Sequence, residues 1–292
     1  MNSAMETDNQ SRCGDIRLSV LAVVNRSTGL TRPDLLIVII LIAFLLILMF
    51  PFFFAAMRQR FYCSRCQDNL KQLSLAWNAY FEDHEGRFYK GVNAHLDYGG
   101  WRGTVGWWPR PLNPYMNFSN PDKITKESAK TFHCPGDNPA KFDLMSPRIF
   151  EQYGTSYQVN IILSGLADTF RPFTEQTAVL DQEILKRINQ ISTNSVDNPS
   201  QVIFMGDYGW VRQSFPRPRL LIEDGRLDST KWHERETFYN TLFLDGHCEF
   251  MRLYPGVYLH EAYTVLPFRD VYPMATKVQS LIKDPVHKIK IP

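Results

Sequence analysis

The chain has 292 residues, a formal net charge of +2 and 21% charged residues. This nearly balanced charge argues against a nucleic-acid or other polyanionic partner, because proteins that bind such partners carry strongly basic surfaces. Aromatic residues make up 13% of the chain, and most of its 18 prolines follow residue 54. That composition favours a loop-rich domain of short strands over a helical bundle.

The N-terminal part of the chain reads as a leader followed by a membrane anchor. Residues 1–29 are polar and mixed in charge, which predicts a disordered leader. Within the next segment, 30–56, the run Leu35–Phe54 has no charged side chain, and a helix of that length spans about 30 Å, the thickness of a bilayer's hydrocarbon core. A soluble core helix would keep a polar face. The sequence therefore predicts a single transmembrane helix over 30–56, with the lipid bilayer as a partner and most of the chain outside it.

Residues 57–86 continue the helical pattern as an amphipathic helix. The apolar face has residues at helical spacing, namely Leu70, Leu73, Trp77 and Tyr80, with Ala76 and Phe81 beside them. The polar residues of this segment fall mostly on the opposite side. Gly86 is the predicted helix stop.

Several short motifs resemble those of type IV prepilins and pseudopilins. Gly29-Leu30-Thr31, with Asp34 directly before the apolar run, resembles the prepilin cleavage site. The pattern C-x-x-N-L-K-Q-L over Cys66–Leu73 resembles the helix of the prepilin-type H-x9-DG family. Later landmarks of that family follow in order: F-x-C-P-x-D at Phe132–Asp137, S-Y-x-x-N at Ser156–Asn160, a strand ending at Asp207, and His233 before Asp245-Gly246. The resemblance covers about residues 29–253.

The resemblance implies an α+β fold, in which a long N-terminal helix packs on the antiparallel β-sheet of a pilin-like head. The head would span 87–253, and residues 254–292, with five prolines, are predicted to form an irregular, extended surface tail.

The function implied is that of a structural subunit, not an enzyme, in a type II secretion or type IV pilus-like assembly. Its partners would be other pseudopilin-like subunits or copies of itself, and a prepilin peptidase. The peptidase would cut after Gly29, Leu30 would be methylated, and Asp34 would neutralise the new amine of a neighbouring subunit. The protein would sit in the inner membrane, with its N-terminus cytoplasmic and its head periplasmic.

The same segment supports a second interpretation. Arg32 and Pro33 stand where the family has apolar residues, and Asp34 is shorter than the family's Glu. The segment would then be an uncleaved signal anchor, and the chain a membrane-anchored extracytoplasmic binding module or metal-dependent enzyme that no longer assembles. Arginines flank the span on both sides, so the positive-inside rule does not decide the topology.

The cysteines allow two kinds of site. The resemblance implies a disulfide between Cys66 and Cys134, the two cysteines at the family's motif positions. Such a bond suits an extracytoplasmic domain. The alternative is a zinc site built from Cys63, Cys66, His133 and Cys134, because thiolates and imidazole in a tetrahedron suit zinc.

Asp207, His233 and Asp245 are the candidate ligands of a second metal site, because they fall at predicted strand ends and turns, with Asn160 and Asp137 as further neighbours. Oxygen-rich loops bind Ca²⁺, which makes Ca²⁺ the cofactor that these residues suggest, but Asp is also an ordinary turn former. Eleven residues separate His233 from Asp245, against nine in the family. The sequence holds none of the common catalytic motifs, such as G-x-S-x-G, H-E-x-x-H or a P-loop.

Two further segments give specific expectations. Asp245-Gly246 predicts a hairpin with a two-residue type I′ turn, which would put four residues on one face: Thr241, Phe243, Cys248 and Phe250. The aromatic loop containing Trp101, Trp107 and Trp108 either forms an exposed ligand surface or fills the space between helix and sheet.

Overall fold

The computed structural model describes residues 31–90, 96–104, 109–118, 120, 123–137, 148–164, 175–188, 190–214, 233, 237–254 and 257–280. The leader, with Gly29 and Leu30, lies outside the described residues, as do Trp107 and Trp108. The chain divides into two compact units, residues 1–54 and 55–292. Its first helix, α1, begins at Arg32 and ends at Asp83.

In the first unit, the side chain of Asp34 caps the start of α1. The backbone N and Oγ1 of Thr31 both donate hydrogen bonds to Asp34 Oδ2, at 3.0 and 2.6 Å. This is one half of a capping box, in which the side chain three residues after the N-cap residue accepts a hydrogen bond from the backbone N–H of that residue. Pro33 fits the first turn because its missing N–H would have no helical partner there.

Between this cap and Phe50, α1 is apolar on every side. Among the described residues, Arg32–Phe50 is the one helical stretch that is long and apolar enough to cross a membrane, and none of it is buried in the structure. Its large side chains, such as Leu36, Ile40 and Ile47, are exposed. A helix of this kind is compatible with the predicted anchor, because its exposed apolar side chains are favourable in a bilayer and unfavourable in water.

In the second unit, the rest of α1 buries one face. Leu70, Leu73, Trp77 and Tyr80 are all buried, so the predicted amphipathic pattern is confirmed. The opposite face carries exposed polar residues: Asp68, Lys71, Gln72, Asn78, Glu82 and Asp83.

Gly86 ends this segment as predicted. Its backbone N donates to Phe81 O at 2.7 Å, and its φ of +74° is a left-handed conformation that favours glycine.

The second unit is mixed α and β, with a four-stranded antiparallel sheet in the order β1-β2-β3-β4. The strands are β1 (Tyr157–Val159), β2 (Ile203–Asp207), β3 (Phe238–Phe243) and β4 (Cys248–Arg252). Phe204 of β2 contacts Trp77 of α1, with ring centroids 5.2 Å apart. The sheet and α1 therefore share one aromatic core, and the coarse α+β prediction is confirmed.

Four further helices lie among the described residues: α2 (Ile149–Tyr153), α3 (Glu175–Ile188), α4 (Trp210–Ser214) and α5 (Tyr272–Ser280). α3 and α5 contact each other. Arg187 at the end of α3 pairs with Asp270 just before α5 at 2.6 Å.

The β3–β4 hairpin forms, but the predicted two-residue turn is wrong. Phe243 O accepts from Gly246 N at 3.0 Å and Phe243 N donates to His247 O at 2.9 Å, so three residues form the loop. Gly246 takes a φ of +93°, as in a three-residue hairpin that ends in a left-handed residue. Leu242 consequently pairs with Cys248 and Thr241 with Glu249, one residue away from the predicted register, and the expected face is not formed.

The predicted extended surface tail is wrong for residues 257–280, and residues 255–256 and 281–292 lie outside the described residues. Residues 257–280 carry fully buried side chains, including Tyr263, Val265 and Ala275, and end in α5. This segment contacts the start of β2, where Ile203 N donates a hydrogen bond to Thr264 O at 2.9 Å. The prolines misled because Pro273 occupies the first turn of α5, where proline breaks no hydrogen bond.

Candidate functional site

A buried disulfide ties α1 to a loop of the head. Cys66 and Cys134 are bonded, with their α carbons 5.1 Å apart and a sequence separation of 68, so the predicted pairing is confirmed. Asn69, one turn along α1, donates from Nδ2 to His133 O at 2.9 Å and to Tyr157 OH at 3.0 Å. The loop before Cys134 is therefore fixed to the helix by the disulfide and by the hydrogen bond from Asn69 to His133.

Asp207 projects from the end of β2 toward the same place. It is fully buried, and its Oδ2 accepts from Asn240 N at 2.7 Å and from Asn240 Nδ2 at 2.9 Å. The partner is on β3 because β2 and β3 pair antiparallel, with Gly206 opposite Thr241. Strand pairing thus sets the carboxylate and the amide side by side.

His233 completes the group. Its ring is buried, and Nε2 lies 3.1 Å from Asp207 Oδ2, 2.8 Å from Asn240 Nδ2 and 3.6 Å from Cys134 Sγ. Its backbone oxygen accepts from Gln59 Nε2 of α1, and Phe250 meets the ring edge-on. The imidazole is therefore held between α1, the sheet and the disulfide.

The electrostatics of this pocket favour a charged imidazole. Burial alone lowers the pKa of His233, but the carboxylate of Asp207 outweighs it, with the Cys63 thiol as a smaller contributor, and the pKa rises to about 10. The partner charge dominates because it is within hydrogen-bonding distance in a buried site.

Four ligand-bearing side chains converge here: Cys66, Cys134, Asp207 and His233. One ligand atom from each lies within 4.8 Å of the others, and all four residues are buried. Among the residues that the structure describes, this is the group of His, Cys, Asp and Glu side chains placed to hold a metal. Its donors are two sulfurs, an imidazole and a carboxylate, whereas Ca²⁺ takes six to eight oxygen ligands.

The structure thus brings Asp207 and His233 together, as predicted, but places Asp245 elsewhere. Asp245 lies in the half-exposed β3–β4 turn, where Oδ1 accepts from His247 N at 3.1 Å and is 2.6 Å from His247 Nδ1. The change in hairpin loop does not bring Asp245 to the site, since the turn lies beyond Phe243 at the end of β3, whereas Asn240 is the third residue of that strand.

The other suggested neighbours have structural partners of their own. Asp137 accepts from the backbone N of Ile149 and Phe150, at 3.2 and 2.8 Å, at the start of α2. Asn160 donates to Ile203 O and Val265 O, at 2.8 and 3.0 Å. Both side chains hydrogen-bond to backbone groups of nearby segments, which is an ordinary structural role for Asp and Asn.

His133, part of the alternative zinc set, points away from the four-residue group. Its ring stacks on Phe150 of α2 with centroids 4.6 Å apart, and burial lowers its pKa to about 4. Trp101, the one described member of the aromatic loop, is half-buried against Phe150 and donates to its backbone oxygen at 2.8 Å. The ring of Trp101 therefore fills space within the head.

Sequence reasoning missed Asn240, although a signal was present. It is the one amide in β3, whose sequence FYNTLF is otherwise apolar or aromatic apart from Thr241. A buried amide needs hydrogen-bond partners, so a polar residue in the middle of such a strand marks a site on that face.

Comparison of the chain with protein-family models, with curated proteins and with solved structures found no match. The chain's function must therefore be inferred from its own residues.

Proposed function

We propose that the chain is a membrane-anchored, pseudopilin-like structural subunit. The observation that carries this proposal is the division of α1 into two kinds of surface. Over Arg32–Phe50 the helix exposes apolar side chains all round, and over Cys66–Phe81 it buries one face in a head. A helix with these properties anchors its domain in a bilayer and leaves the apolar half available to neighbouring helices.

The disulfide supports an extracytoplasmic head. Disulfides persist in oxidising compartments and are rare in the cytosol, and Cys66–Cys134 joins two segments of the second unit. With the head outside, the N-terminus would lie in the cytoplasm, where the prepilin pathway would act on Gly29.

A second candidate is a membrane-anchored module that binds a metal and does not assemble. The observation that favours it is the buried contact between Asp207 and His233, because imidazole and carboxylate are both metal-ligating groups. Arg32 and Pro33 also depart from the apolar residues of the resembled cleavage site.

The deciding experiment is the intact mass and N-terminal sequence of the protein purified from its own membranes. Prepilin processing gives a chain that begins at Leu30 and carries one added methyl group. A Gly29→Val variant is the matched control, since it should keep the full leader if the peptidase reads Gly29. A wild-type chain that still carries the leader would overturn the pseudopilin proposal and leave the anchored module.

A further inference from the structure

The four-residue group has dimensions that suit one small metal ion. In a tetrahedral zinc site with bonds of about 2.0 to 2.3 Å, neighbouring ligand atoms lie about 3.3 to 3.8 Å apart. Here His233 Nε2 is 3.1 Å from Asp207 Oδ2 and 3.6 Å from Cys134 Sγ. These two pairs of ligand atoms are thus already near tetrahedral spacing, and every other pair, including those with the sulfur of Cys66, lies within 4.8 Å.

With Asp207 ionised, no placement of the remaining protons and the Asn240 amide satisfies every close contact in the pocket. With the carboxylate ionised and the Asn240 amide as placed, Nδ2 donates to both Asp207 Oδ2 and His233 Nε2, and no proton separates oxygen from nitrogen. If Nε2 carries a proton instead, it faces the amide hydrogens. If the amide is turned round, its oxygen faces the carboxylate.

Each arrangement leaves one repulsive contact in a buried site, where such contacts are costly. In addition, Asp207 Oδ1 and Asn240 Oδ1 are buried without a hydrogen-bond partner among the residues that the structure describes. A cation between Asp207 Oδ2 and His233 Nε2 would bind a lone pair of each atom and remove the repulsion between them.

We propose that Cys66, Cys134, Asp207 and His233 bind a single zinc ion when the Cys66–Cys134 disulfide is reduced. The disulfide and the zinc complex are then two mutually exclusive states of one site, because only thiolates, not disulfide sulfurs, act as zinc ligands. This proposal does not depend on the pseudopilin assignment.

The chemistry balances with a dithiol as reductant. The dithiol gives two electrons and two protons to the Cys66–Cys134 bond, forming two thiols, and becomes a disulfide itself. Zn²⁺ then displaces the two thiol protons and the proton of the charged His233 imidazole, and binds two thiolates, the neutral imidazole and the carboxylate. Asn240 N, donating to Asp207 Oδ2 at 2.7 Å, would orient that ligand, as hydrogen bonds around metal sites commonly do.

The first test measures bound zinc in the full-length protein in detergent. Metal-stripped protein is divided; one half is reduced with a phosphine in the presence of zinc, and the other is left oxidised with the same zinc. After gel filtration, elemental analysis should find a zinc-to-chain ratio near one for the reduced sample and near zero for the oxidised sample. Cobalt in place of zinc should give a thiolate-to-cobalt charge-transfer band only after reduction. A reduced chain without bound metal would overturn the proposal.

Variants then identify the ligands. His233→Gln and Asp207→Asn should each weaken zinc binding at least about tenfold, the lower end of the effect reported for residues that only support a metal ligand. Cys248→Ser is the matched control, because Cys248 is a free cysteine outside the group, and it should leave the affinity unchanged. Full affinity in both His233→Gln and Asp207→Asn would show that the thiols bind zinc without this site, and would refute the ligand set.

His133→Gln separates this site from the alternative zinc set, because His133 belongs to that set and not to this one, and it should retain zinc. Loss of zinc in this variant, with His233→Gln unaffected, would also refute the proposal. Circular dichroism reports the fold in every sample, and a reduced protein that zinc does not restore to a folded state counts against the site.

Discussion

The indole of Trp77 on α1 meets the ring of Phe204 on β2 edge-on, with centroids 5.2 Å apart. The same indole stacks on Phe81 and contacts Tyr98 and Tyr80, at 5.3 to 5.6 Å. Trp77 is therefore the centre of the core that joins α1 to the sheet, and aromatic pairs of this kind add to the stabilisation given by burial.

Replacing Trp77 by alanine should destabilise the head by about 3 to 5 kcal/mol, the usual cost of removing a large buried aromatic side chain. Leu75→Ala is the matched control: Leu75 is on the same helix but 70% exposed, so the change should be within about 0.5 kcal/mol. Denaturant unfolding of the full-length protein in detergent, monitored by far-ultraviolet circular dichroism, measures both free energies of unfolding. A loss below about 1 kcal/mol for Trp77→Ala would contradict the assigned core.

Removing the disulfide should cost nearly as much. Cys66 and Cys134 are 68 residues apart, and the chain-entropy estimate for a loop of that length is about 4 kcal/mol. Cys134→Ser should therefore lower the free energy of unfolding by about that amount under non-reducing conditions. Cys248→Ser, which leaves the bond intact, should have a much smaller effect. Equal stabilities for the two variants would mean that the bond does not form in the purified protein.

The face of α1 could be predicted because helix periodicity is local. Leu70, Leu73, Trp77 and Tyr80 are within three turns of one another, and nothing distant is needed to place them on one side. The disulfide was predictable through the resemblance, which singled out Cys66 and Cys134.

The rest of the site depends on contacts between distant segments. Asn240 reaches Asp207 only because β3 pairs with β2 in one register, across 33 residues. The hairpin register in turn depends on Gly246 adopting a positive φ, which Asp-Gly permits in both two-residue and three-residue turns. Composition also misjudged α5, since a count of prolines does not show that Pro273 falls in a first turn.

Asp137 should make the stability of the head depend on pH. Burial raises the pKa of Asp137 to about 6 from 3.8, against the effect of its hydrogen bonds from Phe150, Ser156 and Ile149. Because the folded-state pKa is raised, the protonated carboxyl is favoured by folding, and this contribution is complete below pH 3.8 and lost as the pH rises through about 6. The shift corresponds to about 3 kcal/mol.

The Asp137→Asn variant tests this, because it cannot ionise. The free energy of unfolding of the wild type, minus that of the variant, should fall by about 3 kcal/mol between about pH 4 and pH 7. Urea titrations of both proteins across that range measure the difference. Parallel pH profiles would show that Asp137 does not titrate in this way in the folded head.

Asp34 has two explanations that a pair of variants can separate. As a capping residue it accepts from Thr31 N and Oγ1, and as an assembly residue it would neutralise the methylated amine of Leu30 on a neighbouring subunit. Two unpaired charges in hydrocarbon are much less stable than a pair. Under the pseudopilin proposal, Asp34→Ala should therefore leave membrane insertion intact and reduce assembly severely.

Thr31→Ala is the matched control, because it removes the Oγ1 hydrogen bond at the same cap and leaves the carboxylate in place. It should affect the helix start by about 1 kcal/mol and leave assembly near the wild-type level. Chemical crosslinking in native membranes, with carbonate extraction to confirm insertion, reads out both properties. Equal assembly in Asp34→Ala and Thr31→Ala would assign Asp34 to the cap alone, because a carboxylate that neutralises a neighbour's charge cannot be removed without loss.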